Sequence, residues 1–183
     1  MKGKPITLIG KTTRKGEEAL RFYGMGRQLE TISLEDFKNK NVLITSFLSV
    51  DIPACAAQLH RLDNIAKSLG KDLMIVAISC DLPYAQERFC EIEGIRNITM
   101  LSDYRDIDFG LKYGFLIDEL RLLTQGIVII SKERKIKYVE YVPEVTQELS
   151  YDKLLAALEF LEWFALLINN RVWNDFLFSN PIV

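Results

Sequence analysis

Residues 42–78, VLITSFLSVDIPACAAQLHRLDNIAKSLGKDLMIVAI, read as one strand, helix, strand unit. Val42 to Leu48 and Leu73 to Ile78 are nearly continuous apolar runs, with the length and β-branched content of strands buried on both faces. Between them Leu59, Leu62, Ile65, Ala66 and Leu69 recur at helical spacing over Cys55 to Leu69, and Gly70 supplies a C-terminal stop. Such a crossover joins parallel neighbours, so the segment predicts the start of an α/β sheet.

Working outward, Asp81-Leu82-Pro83 sets a proline where a second helix begins, and Ala85, Phe89 and Ile92 give it an apolar stripe that ends at Gly94. Ile98 to Leu101 reads as a short third strand, and Arg105 to Tyr113 as a short helix stopped at Gly114. Gly126 to Ile130 is another doubly buried run, and Ile127 to Ile130 forms a hairpin with Ile136 to Tyr141 across the solvated turn Lys132-Glu133-Arg134-Lys135. Ser150 caps a last long helix, with Asp152 in its first turn. Parallel crossovers followed by a hairpin and a closing helix predict a central mixed β-sheet flanked by helices. The closing helix carries one apolar stripe at Leu154, Leu158, Leu161, Ala165 and Ile168, and a second at Phe160, Trp163, Phe164 and Leu167. One stripe suffices for the sheet. The second, with Trp173, Phe176, Leu177 and Phe178, calls for cover by the tail itself or by another subunit.

The composition narrows the function. A length of 183 residues gives one domain with a modest surplus. The net charge of −2 is spread along the chain without a basic or acidic block, so neither nucleic acid nor an anionic membrane is expected as a partner. Three cysteines are too few for a disulfide scaffold, and the apolar stretch Ile6 to Ile9 is too brief for a signal peptide, which points to a reducing, cytoplasmic setting. The longest apolar segment, Leu154 to Ile168, is broken by Glu159 and Glu162 and falls short of the roughly 20 residues that span a bilayer.

Reactive sites of open α/β sheets lie beyond the carboxyl ends of the strands, where Asp51-Ile52-Pro53-Ala54-Cys55 stands. A thiol in a helix's first turn faces unsatisfied backbone N–H groups and the positive dipole end, which favour a thiolate; the plainer alternative is a small buried hydrophobe. The position after the strand and a second cysteine downstream favour reactivity. Cys80 reads as packing, and His60 as a structural or surface histidine. No spacing of three cysteines and one histidine suggests a metal site, Gly24-x-Gly26 makes no phosphate loop, and one histidine supports no Ser, His, Asp triad.

The stretch Ala77-Ile78-Ser79-Cys80-Asp81-Leu82-Pro83-Tyr84-Ala85-Gln86-Glu87-Arg88-Phe89-Cys90 closely resembles the resolving-cysteine segment of bacterial thiol peroxidases, the atypical two-cysteine branch of the peroxiredoxins. The likeness extends through Leu101 to Arg105, Tyr113-Gly114 and Tyr138 to Thr146, and back to Ile32 to Lys38 and Asp51-x-Pro53-x-Cys55. It covers about residues 1 to 160. The resemblance implies a thioredoxin-like (peroxiredoxin) domain over residues 1–168, with 169–183 as a C-terminal extension. It implies a peroxidatic Cys55, a resolving Cys90, and an active-site Arg105 that favours the thiolate and polarises the peroxide. The substrate is then a hydroperoxide, the recycling partner a thioredoxin-type dithiol, and no bound cofactor or metal is called for. Family members commonly pair as homodimers, and one is expected here.

The chain departs from the family at specific places. The peroxidatic loop, Pro-x-x-x-(Thr/Ser)-x-x-Cys, has Leu48 and Ile52 at its first two marked positions. Gln125 stands where a second arginine is usual, and Arg14 to Gly26 lacks the usual Ala-Pro-Asp-Phe. These departures keep a second reading open, that of a weakened member acting as a redox-sensing or protein-interaction module.

Overall fold

A computed structural model describes residues 5–68, 73–143 and 149–159. The chain divides into two compact units, Met1–Leu149 and Ser150–Val183. The first opens with β1 (Leu8–Ile9), the hairpin β2 (Tyr23–Met25) and β3 (Thr31–Ser33), and a 3₁₀ turn at Leu34–Phe37. Then follow β4 (Asn41–Ser46), α1 (Pro53–Ser68), β5 (Leu73–Ser79), α2 (Pro83–Glu93), β6 (Thr99–Ser102) and α3 (Asp108–Tyr113). The unit closes with β7 (Leu116–Ile117), β8 (Leu122–Leu123), β9 (Gly126–Ile130) and β10 (Ile136–Tyr141). The second unit contains α4 (Tyr151–Glu159), whose first turn closes with the Leu154 N–H on the Ser150 carbonyl.

Seven strands form one mixed sheet in the order β10-β9-β4-β5-β6-β2-β3. The pairs β4/β5 and β5/β6 are parallel, while β9 lies antiparallel to β4 and β10 antiparallel to β9. Every residue of β4 and β9 is buried, which is why these segments read as continuous apolar runs rather than alternating ones. One face of the sheet, with Val42, Ile44, Val76, Ile78, Val128 and Ile130, packs on an aromatic layer. In that layer Phe109 stacks on Tyr113 at 4.9 Å and meets Phe22 edge-on at 5.2 Å. The opposite face carries Thr45, which receives a hydrogen bond from Gln58 of α1.

The expected helix stops hold at two glycines. Gly94 and Gly114 adopt φ of 72° and 74°, the left-handed conformation of a helix C-cap, and their N–H groups return to the carbonyls of Cys90 and Gly110.

Other boundaries move. Helix α1 begins at Pro53, not Cys55, with proline at its first position. Strand β4 ends at Ser46, so Leu48 lies beyond it, and β6 is displaced by one residue from Ile98–Leu101. Helix α3 starts at Asp108 rather than Arg105, because Ile107 takes a left-handed φ of 50° ahead of it. The stripe expected on α2 is also corrected: Pro83, Gln86 and Cys90 face inward, and Ile92 is 74% exposed. The reason is polar. Gln86 donates to Ser79 Oγ and to the Leu101 carbonyl, both at 2.9 Å, and these buried bonds set the helix's rotation. The Gly70 stop, the second stripe of the closing helix and the boundary at residue 168 lie outside the described residues.

Candidate active site

Cys55 is the third residue of α1 and 1% exposed. Its helix is nucleated by the Ile52 carbonyl, which accepts the Ala56 N–H at 3.0 Å, so the loop from β4 delivers Cys55 directly into the first turn. Asp81 fastens that loop from the neighbouring strand. Its carboxylate accepts Ser49 Oγ–H at 2.8 Å, the Val50 N–H at 2.9 Å and Ser79 Oγ–H at 2.8 Å. The sequence reading used Asp81 only to mark a helix start. Its position directly after a buried strand, with Ser79 two residues before it, was the available signal of a turn-forming carboxylate.

Of the polar groups next to Cys55's turn, Gln125 reads in the sequence only as a departure from the family, and Gln58 is passed over. Gln58, one turn on from Cys55 and buried beside Leu59 and Leu62, donates to Thr45 Oγ1 and accepts from Gln125 Nε2. Gln125 is buried too, and it immediately precedes β9, whose Gly126 pairs with Ser46 at the end of β4. A buried chain of amides and one hydroxyl therefore runs from β9 to the helix that carries Cys55. The signal was the glutamine itself, a polar residue on the helix face shared by Cys55, Leu59 and Leu62.

Cys90 lies on the inner face of α2 and is 2% exposed. Burial pushes its thiol above the ordinary range, and the Arg27 guanidinium from the β2–β3 turn pulls it part of the way back. Cys80 follows β5 and is partly buried against the core. Its thiol is pushed up to about 12, first by burial and then by the carboxylates of Asp103 and Asp81, so it holds its proton throughout the physiological range. All three cysteines are free thiols.

Arg105, the active-site cation that the resemblance implies, stands after β6. In the sheet order β6 is the second strand from β4. The Arg105 guanidinium is half exposed and makes two contacts of 2.8 Å with Asp106. Arg105 is thus engaged in a surface ion pair, while Gln125 precedes β9, which neighbours β4 on its other side. His60 pairs with Glu93 of α2 at 2.8 Å, in keeping with a structural or surface role.

Comparison with known proteins agrees with this architecture. The Redoxin family profile matches residues 14–155. A thiol peroxidase of Bacillus subtilis (strain 168) is 39% identical over 160 residues, covering 87% of this chain and 95% of that protein. One from Oceanobacillus iheyensis is 38% identical over 157 residues, 86% and 95% of the two chains. Among solved structures, a peroxiredoxin-like protein from Aquifex aeolicus superposes with a TM-score of 0.81 at 33% identity, over 87% of this chain and 94% of that one. Thiol peroxidase from Chromobacterium violaceum gives 0.78 at 25% identity, over 86% and 93%. The expected thioredoxin-like fold is therefore present, and the chain belongs to the thiol peroxidase family of the peroxiredoxins.

Proposed function

We propose that the protein is a thiol-dependent peroxidase that reduces hydrogen peroxide or an organic hydroperoxide. The observation that carries this reading is a buried Cys55 in the first turn of a helix, on a loop fastened by Asp81, in a chain of this family. The Cys55 thiolate attacks one oxygen of the O–O bond. The S–O bond forms, the O–O bond breaks, and the departing oxygen takes a proton and leaves as water or alcohol. The Cys90 thiolate then attacks the sulfenic sulfur, forming the disulfide and releasing hydroxide, which is protonated to water. A thioredoxin-type dithiol supplies two electrons to restore both thiols. Three free thiols suit a reducing cytoplasm, where such a dithiol is available.

Arg105, which pairs with Asp106 at the surface, is given no part in stabilising the thiolate. The donors this proposal assigns to the reacting sulfur are then the backbone N–H groups of α1's first turn, with the Gln58 and Gln125 amides one turn further on.

The test is peroxide-dependent oxidation of a thioredoxin system by the purified protein, followed by mass mapping of the oxidised chain. The expected result is turnover that Cys55→Ser abolishes, a Cys55–Cys90 link, and a change of less than about threefold in Arg105→Ala, the effect of a surface pair. A link through Cys80, or Arg105→Ala losing a hundredfold, overturns the assignment of roles. No turnover with intact thiol reactivity leaves the redox-sensing module as the function.

A further inference from the structure

Helices α1 and α2 follow the adjacent parallel strands β4 and β5, so they run side by side in one direction on one face of the sheet. The contact between His60 Nε2 and Glu93 Oε2 at 2.8 Å fixes their relative level. Counting back at about 1.5 Å per residue, Cys90 stands level with Ala57, close along the axis to Cys55. Both sulfurs nevertheless lie on the sheet-facing sides of their helices, one turn from Gln58 and Gln86, which bond Thr45 and Ser79, whereas a disulfide needs its two Cβ atoms turned toward each other. One helix end has to give before the bond can form.

The end of α2 that carries Cys90 is fastened to α1. Asp63, a buried carboxylate on α1, accepts the N–H groups of Arg96 and Asn97 at 2.9 and 2.6 Å on one oxygen and Asn97 Nδ2–H at 2.8 Å on the other. These three bonds are charge-assisted, and they hold the segment directly after the Gly94 cap. Within that turn the Cys90 carbonyl itself accepts the N–H groups of Gly94 and Ile95. His60 grips Glu93, three residues past Cys90. Releasing Cys90 thus requires the cap to open against an anchor that Asp63 holds in place.

We propose that Asp63, assisted by His60, is a positioning residue for the resolving step: it keeps the last turn of α2 closed, so that opening of this turn limits how fast Cys90 reaches the Cys55 sulfenic acid. The proposal rests on the roles given to Cys55 and Cys90 above. It has a chemical consequence, because two reactions compete for the sulfenic acid. In one, Cys90 sulfur displaces hydroxide and the disulfide forms. In the other, a second hydroperoxide transfers an oxygen to the sulfenic sulfur, its O–O bond breaks, water or alcohol leaves, and Cys55 is trapped as a sulfinic acid. A firm anchor favours the second at high peroxide.

The experiment follows the full-length protein by rapid quench with hydrogen peroxide, reading loss of the Cys55 thiol, growth of the disulfide and the sulfinic fraction by intact mass. Asp63→Ala, which removes all three bonds, is expected to leave the first oxidation unchanged and to speed disulfide formation by roughly tenfold or more, tenfold being the least that one lost charge-assisted bond carries. The peroxide concentration that half-converts Cys55 to sulfinic acid should rise by the same factor. Asp63→Asn keeps an acceptor for the two backbone N–H groups and should fall between, and His60→Ala, a surface change, should act in the same direction even where Asp63→Ala does not fold. Normal Cys55 oxidation with unchanged or slower disulfide formation in Asp63→Asn and His60→Ala overturns this proposal alone. A Cys55 that peroxide does not oxidise overturns the proposed function and this inference with it.

Discussion

At position 52 an isoleucine stands where the family carries a hydroxyl, three residues before Cys55, the sulfur proposed to react. Its carbonyl starts α1, a role that any residue can fill, and its side chain is only half buried. What isoleucine withholds is an oriented donor and acceptor for the peroxide while charge moves onto the departing oxygen. Backbone N–H groups of α1's first turn remain. Peroxide is penalised more than a simple alkylating agent, which has no second oxygen to align. Ile52→Thr removes one methylene-sized group at a packing cost of about 1 kcal/mol or less and adds the missing hydroxyl. The expected outcome is a rise in the second-order rate of Cys55 oxidation of around tenfold, against a change of under about twofold in its alkylation. Equal rates in wild type and variant would mean that the Gln58 and Gln125 amides already do the hydroxyl's work.

At the scale of the elements, the short helix α3 depends on one buried carboxylate. Asp103 accepts the N–H groups of Phe109 at 3.1 Å and Gly110 at 2.8 Å, which satisfies the orphan donors of the first turn. Burial nevertheless raises its carboxyl from 3.8 to about 6, against the lowering effect of the Gly110 and Phe109 bonds. The folded chain thus binds this proton more tightly than the unfolded one, and unfolding releases it between about pH 4 and pH 6. The stability contributed by the protonated form is present below that window and is lost as pH rises through it, by roughly 3 kcal/mol at about 1.36 kcal/mol per pH unit. Urea unfolding at pH 4.5, 5.5 and 7 should show wild type losing stability relative to Asp103→Asn as pH increases. Parallel pH dependences in the two proteins would place the titration elsewhere. Asp103 also shows what sequence reading can and cannot reach. The doubly buried strands β4, β5 and β9 were legible because burial on both faces leaves an unbroken apolar run. The two- and three-residue strands β1, β2, β3, β7 and β8 were not, since so short a segment carries no period. The inward face of α2 was misjudged because a hydrogen-bonded Gln86 outweighed the apolar Phe89 and Ile92. Among the candidate site residues, Cys55 could be read from its place after β4, and Cys90 only from the resemblance of its segment. Arg105 could not be placed, because its distance from Cys55 is set by the order of strands across the sheet, which no local pattern encodes.

For the whole molecule, the question is what covers the apolar residues that the sheet does not need. The aromatic layer and the sheet residues packed on it all belong to unit Met1–Leu149. Leu82 and Tyr84, at the start of α2 and next in space to the loop fastened by Asp81, remain 52% and 59% exposed. The sequence after residue 159 adds Phe160, Trp163, Phe164, Trp173, Phe176, Leu177 and Phe178, a larger aromatic load than a monomer of 21.1 kDa leaves in water. Aromatic side chains of this kind are the ones that dominate protein interfaces, where they bury area with few rotors to immobilise. We therefore expect a homodimer in which residues 160–178 add to the contact. Sedimentation at micromolar concentration should give a single species of twice the chain mass, and deletion of residues 169–183, which removes Trp173, Phe176, Leu177 and Phe178, should shift it toward monomer. A full-length chain that sediments as a monomer would reject the dimer. The same deletion would then separate the remaining possibility, since a tail folded onto its own chain would, once removed, leave apolar surface that binds a hydrophobic dye.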